Sequence, residues 1–255
     1  MVAQSIMTDK KKSTRIFKVL ILAAILILPG FLYYLLEKEG KNSYKPLPIF
    51  GEKTLTGTFT SKMGDQIPDT AYHLVPKAVL TNQMGEDVQF PAEESSISVV
   101  NFFYTRCDTF CPYMNEEMNR VASRFINNPK VRFYTLTVDT LYDTPEVLNA
   151  YSSNFQPETK KWHWLTSRKG FEDGHLDSLG RTNDIHAIAR EGYLVDAFQD
   201  TTREAAFIHS SFLILIDSER RIRGYYDVNH KKEVDRMIDE IKLLLVEEVR
   251  RNSPY

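Results

Sequence analysis

The chain has 255 residues, of which 42% are hydrophobic and 26% are charged, and these values exclude a disordered or fibrous protein. Its 32 basic and 34 acidic residues give a formal net charge of −2, and a chain without a basic excess is a poor candidate for nucleic-acid binding. A mean hydropathy of −0.34 excludes a polytopic membrane protein but is compatible with a single membrane span.

The first predicted element is a membrane anchor at residues 16–36, which read IFKVLILAAILILPGFLYYLL and carry one charge, Lys18. About 20 apolar residues span a bilayer as a helix. Because basic residues crowd residues 1–15, the positive-inside rule places this tail in the cytoplasm and everything after the span outside it. A cleaved signal peptide is the competing interpretation, but its apolar region is usually about 7–15 residues long, and no A-x-A site follows here. We therefore expect a single-pass anchor in a bacterial cytoplasmic membrane, with the C-terminal domain on the periplasmic or extracytoplasmic side.

Residues 37–75 are predicted to form a linker, because their apolar pattern is weak and several prolines and glycines interrupt it. Within this linker, the segment 54–60 is the candidate for an edge strand. The folded domain is expected to cover residues 76–255.

The predicted domain alternates strands and helices. Strands are expected at 96–104, 131–139, 162–166, 206–217 and 221–227, and helices from 112 to about 127, from 143 to about 151, in parts of 171–190 and over about 231–250. This order predicts an α/β fold in which helices flank a mixed sheet, since the last two strands form a hairpin. The order of elements resembles a thioredoxin fold with insertions.

Two cysteines, Cys107 and Cys111, form a CxxxC motif. Cys107 directly follows the strand at 96–104, and Cys111 precedes Pro112 at a predicted helix start, where the helix dipole stabilises a thiolate. Within one helical turn, residues four apart lie on the same side, so both sulfurs can bind one metal ion or each other. Thioredoxin-like oxidoreductases typically carry CxxC, and the extra residue loosens the pair. The alternative role is that of two small buried hydrophobic residues.

His209 is the third candidate ligand. If the strand at 206–217 runs antiparallel to the two earlier strands, His209 lies at the sheet edge where Cys107 emerges. Two thiolates and one imidazole suit Cu(I), and with added oxygen ligands they hold Cu(II). Zinc accepts the same set, so the ligand count alone does not choose the metal. Asp139 ends the second strand at this edge and is predicted to orient His209 or assist metal release, with helix or turn capping as the alternative role.

Four segments resemble the Sco/SenC family of copper chaperones for cytochrome c oxidase. They are VVNFFYTRCDTFCP, LTVDTLYDTPEVLNAY, WHWLT and IHSSFLILID, in the family's order, and the resemblance covers about residues 76–245. It implies a thioredoxin-like fold, copper ligation by Cys107, Cys111 and His209, and a nearby carboxylate at Asp139. The chain departs from the family pattern at Arg106 and Asp108, beside the first cysteine, where the family often has His or Pro.

Two functions remain open at this point. The first is a metallochaperone, not an enzyme, that delivers copper to the dinuclear copper site of cytochrome c oxidase subunit II or to another copper-accepting protein. The second is a thiol–disulfide reductase that keeps the cysteines of that subunit reduced. The CxxxC motif serves both, whereas His209 is needed for a copper site alone. A peroxiredoxin-like enzyme is a weaker third alternative, because the residues before Cys107 lack the usual Pro-Thr segment.

Overall fold

The computed structural model describes residues 17–18, 21–35, 46–62, 65–91, 96–155, 161–168, 184–200 and 207–251. The chain divides into two compact units, Met1–Lys45 and Pro46–Tyr255. In the first unit, residues 21–35 form helix α1. Within the described parts of the chain, no helix combines the length and the apolar character that a membrane crossing requires. The predicted tail at 1–15 and residues 16, 19, 20 and 36 of the predicted anchor lie outside the described residues.

The second unit contains eleven strands in its described parts. They are β1 Lys53–Lys62, β2 Asp65–Tyr72, β3 Ala78–Asn82, β4 Asp87–Phe90, β5 Ile97–Phe103, β6 Val131–Thr137, β7 Trp162–Thr166, β8 Ala197–Gln199, β9 Phe207–His209, β10 Phe212–Ile216 and β11 Ile222–Asp227. Seven of them form the main sheet in the order β11-β10-β5-β6-β7-β3-β4. Strands β5, β6 and β7 are parallel, whereas β10 and β3 run antiparallel to their neighbours β5 and β7. The predicted mixed α/β sheet is therefore confirmed.

Helices cover both faces of this sheet. They are α2 Cys111–Phe125, α3 Pro145–Ser152, the short α4 Ile185–Ala187 with a π-helical turn at Ile188–Gly192, and α5 Lys231–Arg251. Apolar residues of α2 and α5 pack on one face, and the α4 region packs on the other. Every residue of β5 is buried, which explains why this strand reads as a continuous apolar run rather than an alternating one. The strand ends directly before the loop that carries Cys107.

A hairpin occupies part of the segment that we predicted to be a linker. Strands β1 and β2 pair antiparallel, and the carboxylate of Asp69 accepts hydrogen bonds from Thr58 at 2.7 Å and Thr60 at 2.6 Å. Upstream of the hairpin, the buried guanidinium of Arg223 donates to the carbonyl oxygen of Leu47 at 2.7 Å. These polar contacts organise residues that carry little apolar pattern, and the compact unit accordingly begins at Pro46.

The strand predicted at 206–217 is divided in two. Strand β9 pairs with β8 in a separate two-stranded sheet, and β10 pairs with β5 and β11 in the main sheet. His209 therefore ends β9 rather than beginning a strand of the main sheet. Of the helix predicted within 171–190, residues 171–183 lie outside the described residues, and Ile185–Gly192 is helical.

Candidate metal centre

Both cysteines lie where β5 passes into α2. Cys107 belongs to the connecting loop, in a turn closed by its backbone N–H donating to the carbonyl oxygen of Tyr104 at 3.2 Å. Helix α2 begins at Cys111, so the prediction that both cysteines share a helical turn is wrong. The turn nevertheless brings Cys107 back towards the helix N-terminus. The exposed fraction is 5% for Cys107 and 0% for Cys111.

His209 completes a compact group with the two thiols. Its Nε2 atom lies 3.0 Å from Sγ of Cys111, and the three possible ligand atoms of Cys107, Cys111 and His209 all lie within 4.8 Å of one another. The other ring nitrogen, Nδ1, lies 3.2 Å from the carbonyl oxygen of Ser210. A carbonyl only accepts, so Nδ1 carries the proton and Nε2 presents its lone pair to the thiols.

Aromatic rings enclose the imidazole. The ring of Phe110 lies 4.6 Å from that of His209 between centroids, and the ring of Tyr104 meets His209 edge-on at 5.6 Å. Phe207 packs against Tyr104 at 5.4 Å. His209 is 7% exposed as a result. The ligand atoms therefore lie in a pocket from which water is largely excluded, and this favours a soft, low-coordinate metal ion over a strongly hydrated one.

The two thiols differ in acidity. A hydrogen bond from Cys111 lowers the pKa of Cys107 to about 3, against the opposing effect of burial, and hydrogen bonds from Thr109 lower it further. Burial raises the pKa of Cys111, and the hydrogen bond to Cys107 raises it further. Without a metal, the pair thus holds a thiolate at Cys107 and a thiol at Cys111. A metal ion that binds both sulfurs displaces the remaining proton.

Asp139 lies close to the cysteine loop but contacts a different partner from the one predicted. Its carboxylate accepts a hydrogen bond at 3.1 Å from Nε of Arg106, which also forms an ion pair with it through Nη2. The guanidinium stacks on the ring of Tyr142 at 4.2 Å. The carbonyl of Ser210, and not Asp139, lies at the Nδ1 atom of His209. Asp139 thus holds the residue before Cys107 in place.

Sequence patterns do not reveal the position of Asp143. We placed it at a helix start, yet Thr144 is the residue that caps α3, its side chain accepting from the backbone N–H of Val147. Asp143 is instead fully buried, and its carboxylate accepts hydrogen bonds from Thr105 and Thr137. No spacing rule identifies such a contact, because Asp143 and Thr105 are 38 positions apart in the chain.

The donor set itself limits what the group can bind. Two sulfurs and one imidazole nitrogen fit Cu(I), which accepts three soft ligands. A structural zinc site is usually closed by a fourth protein ligand, and the group found among the described residues has three members. The observed set is therefore better matched to copper than to a structural zinc ion.

Comparison with known proteins identifies relatives in sequence and in fold. A SCO2-like protein of Rickettsia typhi is 28% identical over 230 residues, covering 89% of this chain and 99% of the relative. The structure of BsSco, a member of the Sco family of cytochrome c oxidase assembly proteins in which a disulfide switch was identified, superposes with a TM-score of 0.54 at 20% identity, covering 67% of this chain and 92% of BsSco. Yeast Sco1 with copper bound superposes with a TM-score of 0.52 at 20% identity, covering 71% of this chain and 95% of Sco1.

These two structures share the fold of the second unit, a thioredoxin-like arrangement of a central sheet with flanking helices. The family model described as SCO1/SenC matches residues 68–245, a span that includes both cysteines and His209. The match agrees with the resemblance found in the sequence over about residues 76–245. The chain belongs to the SCO1/SenC family.

Proposed function

We propose that this protein is a copper metallochaperone that delivers copper to the dinuclear copper centre of cytochrome c oxidase subunit II. The observation that carries the proposal is the convergence of Cys107, Cys111 and His209 within 4.8 Å. Copper is the cargo of this site, held by the two sulfurs and Nε2. Copper bound in yeast Sco1 supports the metal, and the assembly role stated for BsSco supports cytochrome c oxidase as the recipient complex.

Cu(I) is the favoured oxidation state of the cargo. Two soft sulfurs and one nitrogen satisfy Cu(I), while Cu(II) prefers additional nitrogen or oxygen ligands. The aromatic side chains of Tyr104 and Phe110 cover the imidazole, so added water ligands are disfavoured. Cu(II) binding would then need an additional ligand, from water or from a partner protein. That ligand would have to approach next to Cys107, the more exposed of the two cysteines.

Delivery to another protein is supported by apolar side chains around the site. Tyr113 is 41% exposed, Leu141 85%, Tyr142 47% and Ile208 40%. Each lies within two residues of Cys111, Asp139 or His209, or stacks on Arg106 beside Cys107. Exposed apolar side chains that adjoin the site residues in the chain favour protein contact. Because the three ligands are almost buried, copper transfer requires a partner protein whose own ligands reach the metal between these exposed side chains.

We also propose that residues 16–36 anchor the protein in the bacterial cytoplasmic membrane, with residues 37–255 on the periplasmic or extracytoplasmic side. The length of the apolar run and the basic residues before it support this topology. This topology places the Cys–Cys–His group on the periplasmic or extracytoplasmic side.

A thiol–disulfide reductase is the second candidate function. The low pKa of Cys107 favours it, because a thiolate attacks disulfides and a neighbouring thiol resolves the mixed disulfide. His209 separates the two functions, since disulfide exchange needs only the cysteines. Both cysteines are free in this structure, which is the form that either activity requires.

An anaerobic metal titration tests the proposal. The reduced full-length protein in detergent is titrated with Cu(I) and, separately, with Zn(II), and the bound metal is measured after desalting. We expect one copper per chain, retained in the presence of equimolar zinc. Copper binding should be lost in Cys107→Ser and in Cys111→Ser. A parent protein that retains zinc and releases copper would refute the chaperone assignment.

A further inference from the structure

A buried carboxylate joins the cysteine loop to the main sheet. Asp143 accepts a hydrogen bond from the backbone N–H of Thr105 at 3.0 Å, and the hydroxyl of Thr105 bonds to its other carboxylate oxygen. The hydroxyl of Thr137, the last residue of β6, also donates to Asp143. Asp143 is fully buried. It therefore links the loop after β5 to the end of β6 from a position without solvent.

Helix capping does not account for this carboxylate. Thr144 caps α3, and Arg106, a nearby cation, pairs with Asp139. Burying a carboxylate without a paired cation is unfavourable unless hydrogen bonds compensate. Here the compensating donors belong to Thr105 and Thr137, so the energetic cost of burying Asp143 is tied to the position of the loop.

The contact with Thr105 sets the direction of the chain towards Cys107. Thr105 is the second residue of the turn in which the N–H of Cys107 donates to the carbonyl oxygen of Tyr104. With both its backbone N–H and its hydroxyl held by Asp143, Thr105 has little freedom to rotate. On the sheet side, the N–H of Val138 donates to the carbonyl of Phe103 at 2.8 Å, so the ends of β5 and β6 are already joined.

We propose that Asp143 is a positioning residue that holds the sulfur of Cys107 within reach of Cys111 and His209. It acts through Thr105 and contacts neither the thiols nor the cargo. The expected effect of Asp143 on copper binding rests on the proposed function. The expected effect of Asp143 on disulfide formation is independent of the proposed function, because the tendency of two thiols to form a disulfide depends on how the protein holds them.

Four variants of the full-length protein test the proposal. Asp143→Ala removes the acceptor, whereas Asp143→Asn keeps its shape and still accepts from the N–H of Thr105. Thr105→Val removes one hydroxyl and leaves the backbone contact. Asp69→Ala is the matched control, because Asp69 also accepts from two threonine hydroxyls, those of Thr58 and Thr60, but lies in the β1–β2 hairpin.

Two equilibria are measured for each variant. The first is disulfide exchange with dithiothreitol, in which Cys107 and Cys111 lose two protons and two electrons to form one S–S bond and oxidised dithiothreitol is reduced to its dithiol. The second is Cu(I) affinity in competition with a chelator of known affinity. Circular dichroism and a denaturant titration establish that each variant folds.

In Asp143→Ala, we expect the equilibrium constant for disulfide formation and the association constant for Cu(I) each to fall by about tenfold or more. In Asp143→Asn, both constants should stay within about threefold of the parent values. Thr105→Val should fall between these two, and Asp69→Ala should match the parent. A folded Asp143→Ala with parental constants overturns the proposal, as does an Asp143→Asn as defective as the alanine variant. If Asp143→Ala does not fold, parental values in Thr105→Val overturn it. If the parent binds no copper, the chaperone assignment fails and disulfide exchange alone decides the role of Asp143.

Discussion

Nε2 of His209 lies 3.0 Å from Sγ of Cys111, although the two residues are 98 positions apart in the chain. This contact joins the end of β9 to the N-terminus of α2, and it makes the CxxxC motif part of a three-ligand group. The contact also gives the sharpest distinction between a copper site and a dithiol site, since only the former requires the imidazole.

His209→Ala should weaken Cu(I) binding by at least about tenfold, which corresponds to ~1.4 kcal/mol. The reason is the loss of one of three ligand atoms, with both thiols left in place. A chelator competition under anaerobic conditions measures the effect. Disulfide formation between Cys107 and Cys111, followed by thiol counting, is the control and should be nearly unchanged. A variant that binds copper like the parent would show that His209 is not a ligand and would favour the reductase assignment instead.

Alkylation by iodoacetamide should modify Cys107 before Cys111. Because hydrogen bonding lowers the pKa of Cys107 to about 3, its thiolate is fully formed from about pH 5 upwards, and its alkylation rate should be nearly independent of pH between 5 and 8. Burial raises the pKa of Cys111, so its reaction should be slow throughout this range. Mass spectrometry of peptides identifies the modified residue. A Cys107 rate that falls tenfold for each pH unit below 8 would contradict the assignment of the thiolate.

Oxidation should abolish copper binding. A disulfide between Cys107 and Cys111 removes both thiolates, and only thiolates are effective copper ligands. The protein is oxidised with excess oxidised dithiothreitol, desalted and titrated with Cu(I), and a second sample is reduced again before titration. We expect binding to disappear and then return. Equal affinity in the oxidised and reduced samples would show that the sulfurs are not the ligands.

The pH dependence of stability should differ between the parent and Asp143→Asn. Burial raises the pKa of Asp143, so the folded state binds a proton at this site more tightly than the unfolded state does. Its stabilising effect is therefore present at low pH and is lost as the pH rises through the folded-state pKa. Asparagine does not titrate. The free energy of unfolding of Asp143→Asn minus that of the parent should be larger at pH 7 than at pH 3, as measured by denaturant titration, and an equal difference at both values would contradict the shift.

The main sheet could be predicted because its signals are local. The apolar run of β5, the proline after Cys111 and the apolar periodicity of α5 each identify an element from a few neighbouring residues. These inferences needed the direction of each strand and no knowledge of individual contacts. Cys107 and His209 do converge, but not for the predicted reason, because His209 ends β9 in a separate two-stranded sheet rather than beginning a strand of the main sheet.

The remaining features depend on contacts between distant residues. The β1–β2 hairpin is organised by threonine hydroxyls on Asp69, and such polar pairings leave no apolar periodicity in the sequence. The break between β9 and β10 falls at two serines inside an apolar segment, so periodicity suggested one strand. Asp143 was assigned to a helix start because its neighbour Thr144 and Pro145 give that signal, while its buried partner Thr105 lies in another loop.

X-ray absorption at the copper edge of the reduced, Cu(I)-loaded protein tests the central claim most directly, because it counts the ligand atoms by element. The structure predicts two sulfur scatterers, from Cys107 and Cys111, and one nitrogen scatterer, from Nε2 of His209. The nitrogen contribution should disappear in His209→Ala while both sulfurs remain. A parent spectrum with nitrogen or oxygen scatterers alone, or one that is unchanged in His209→Ala, would contradict the account.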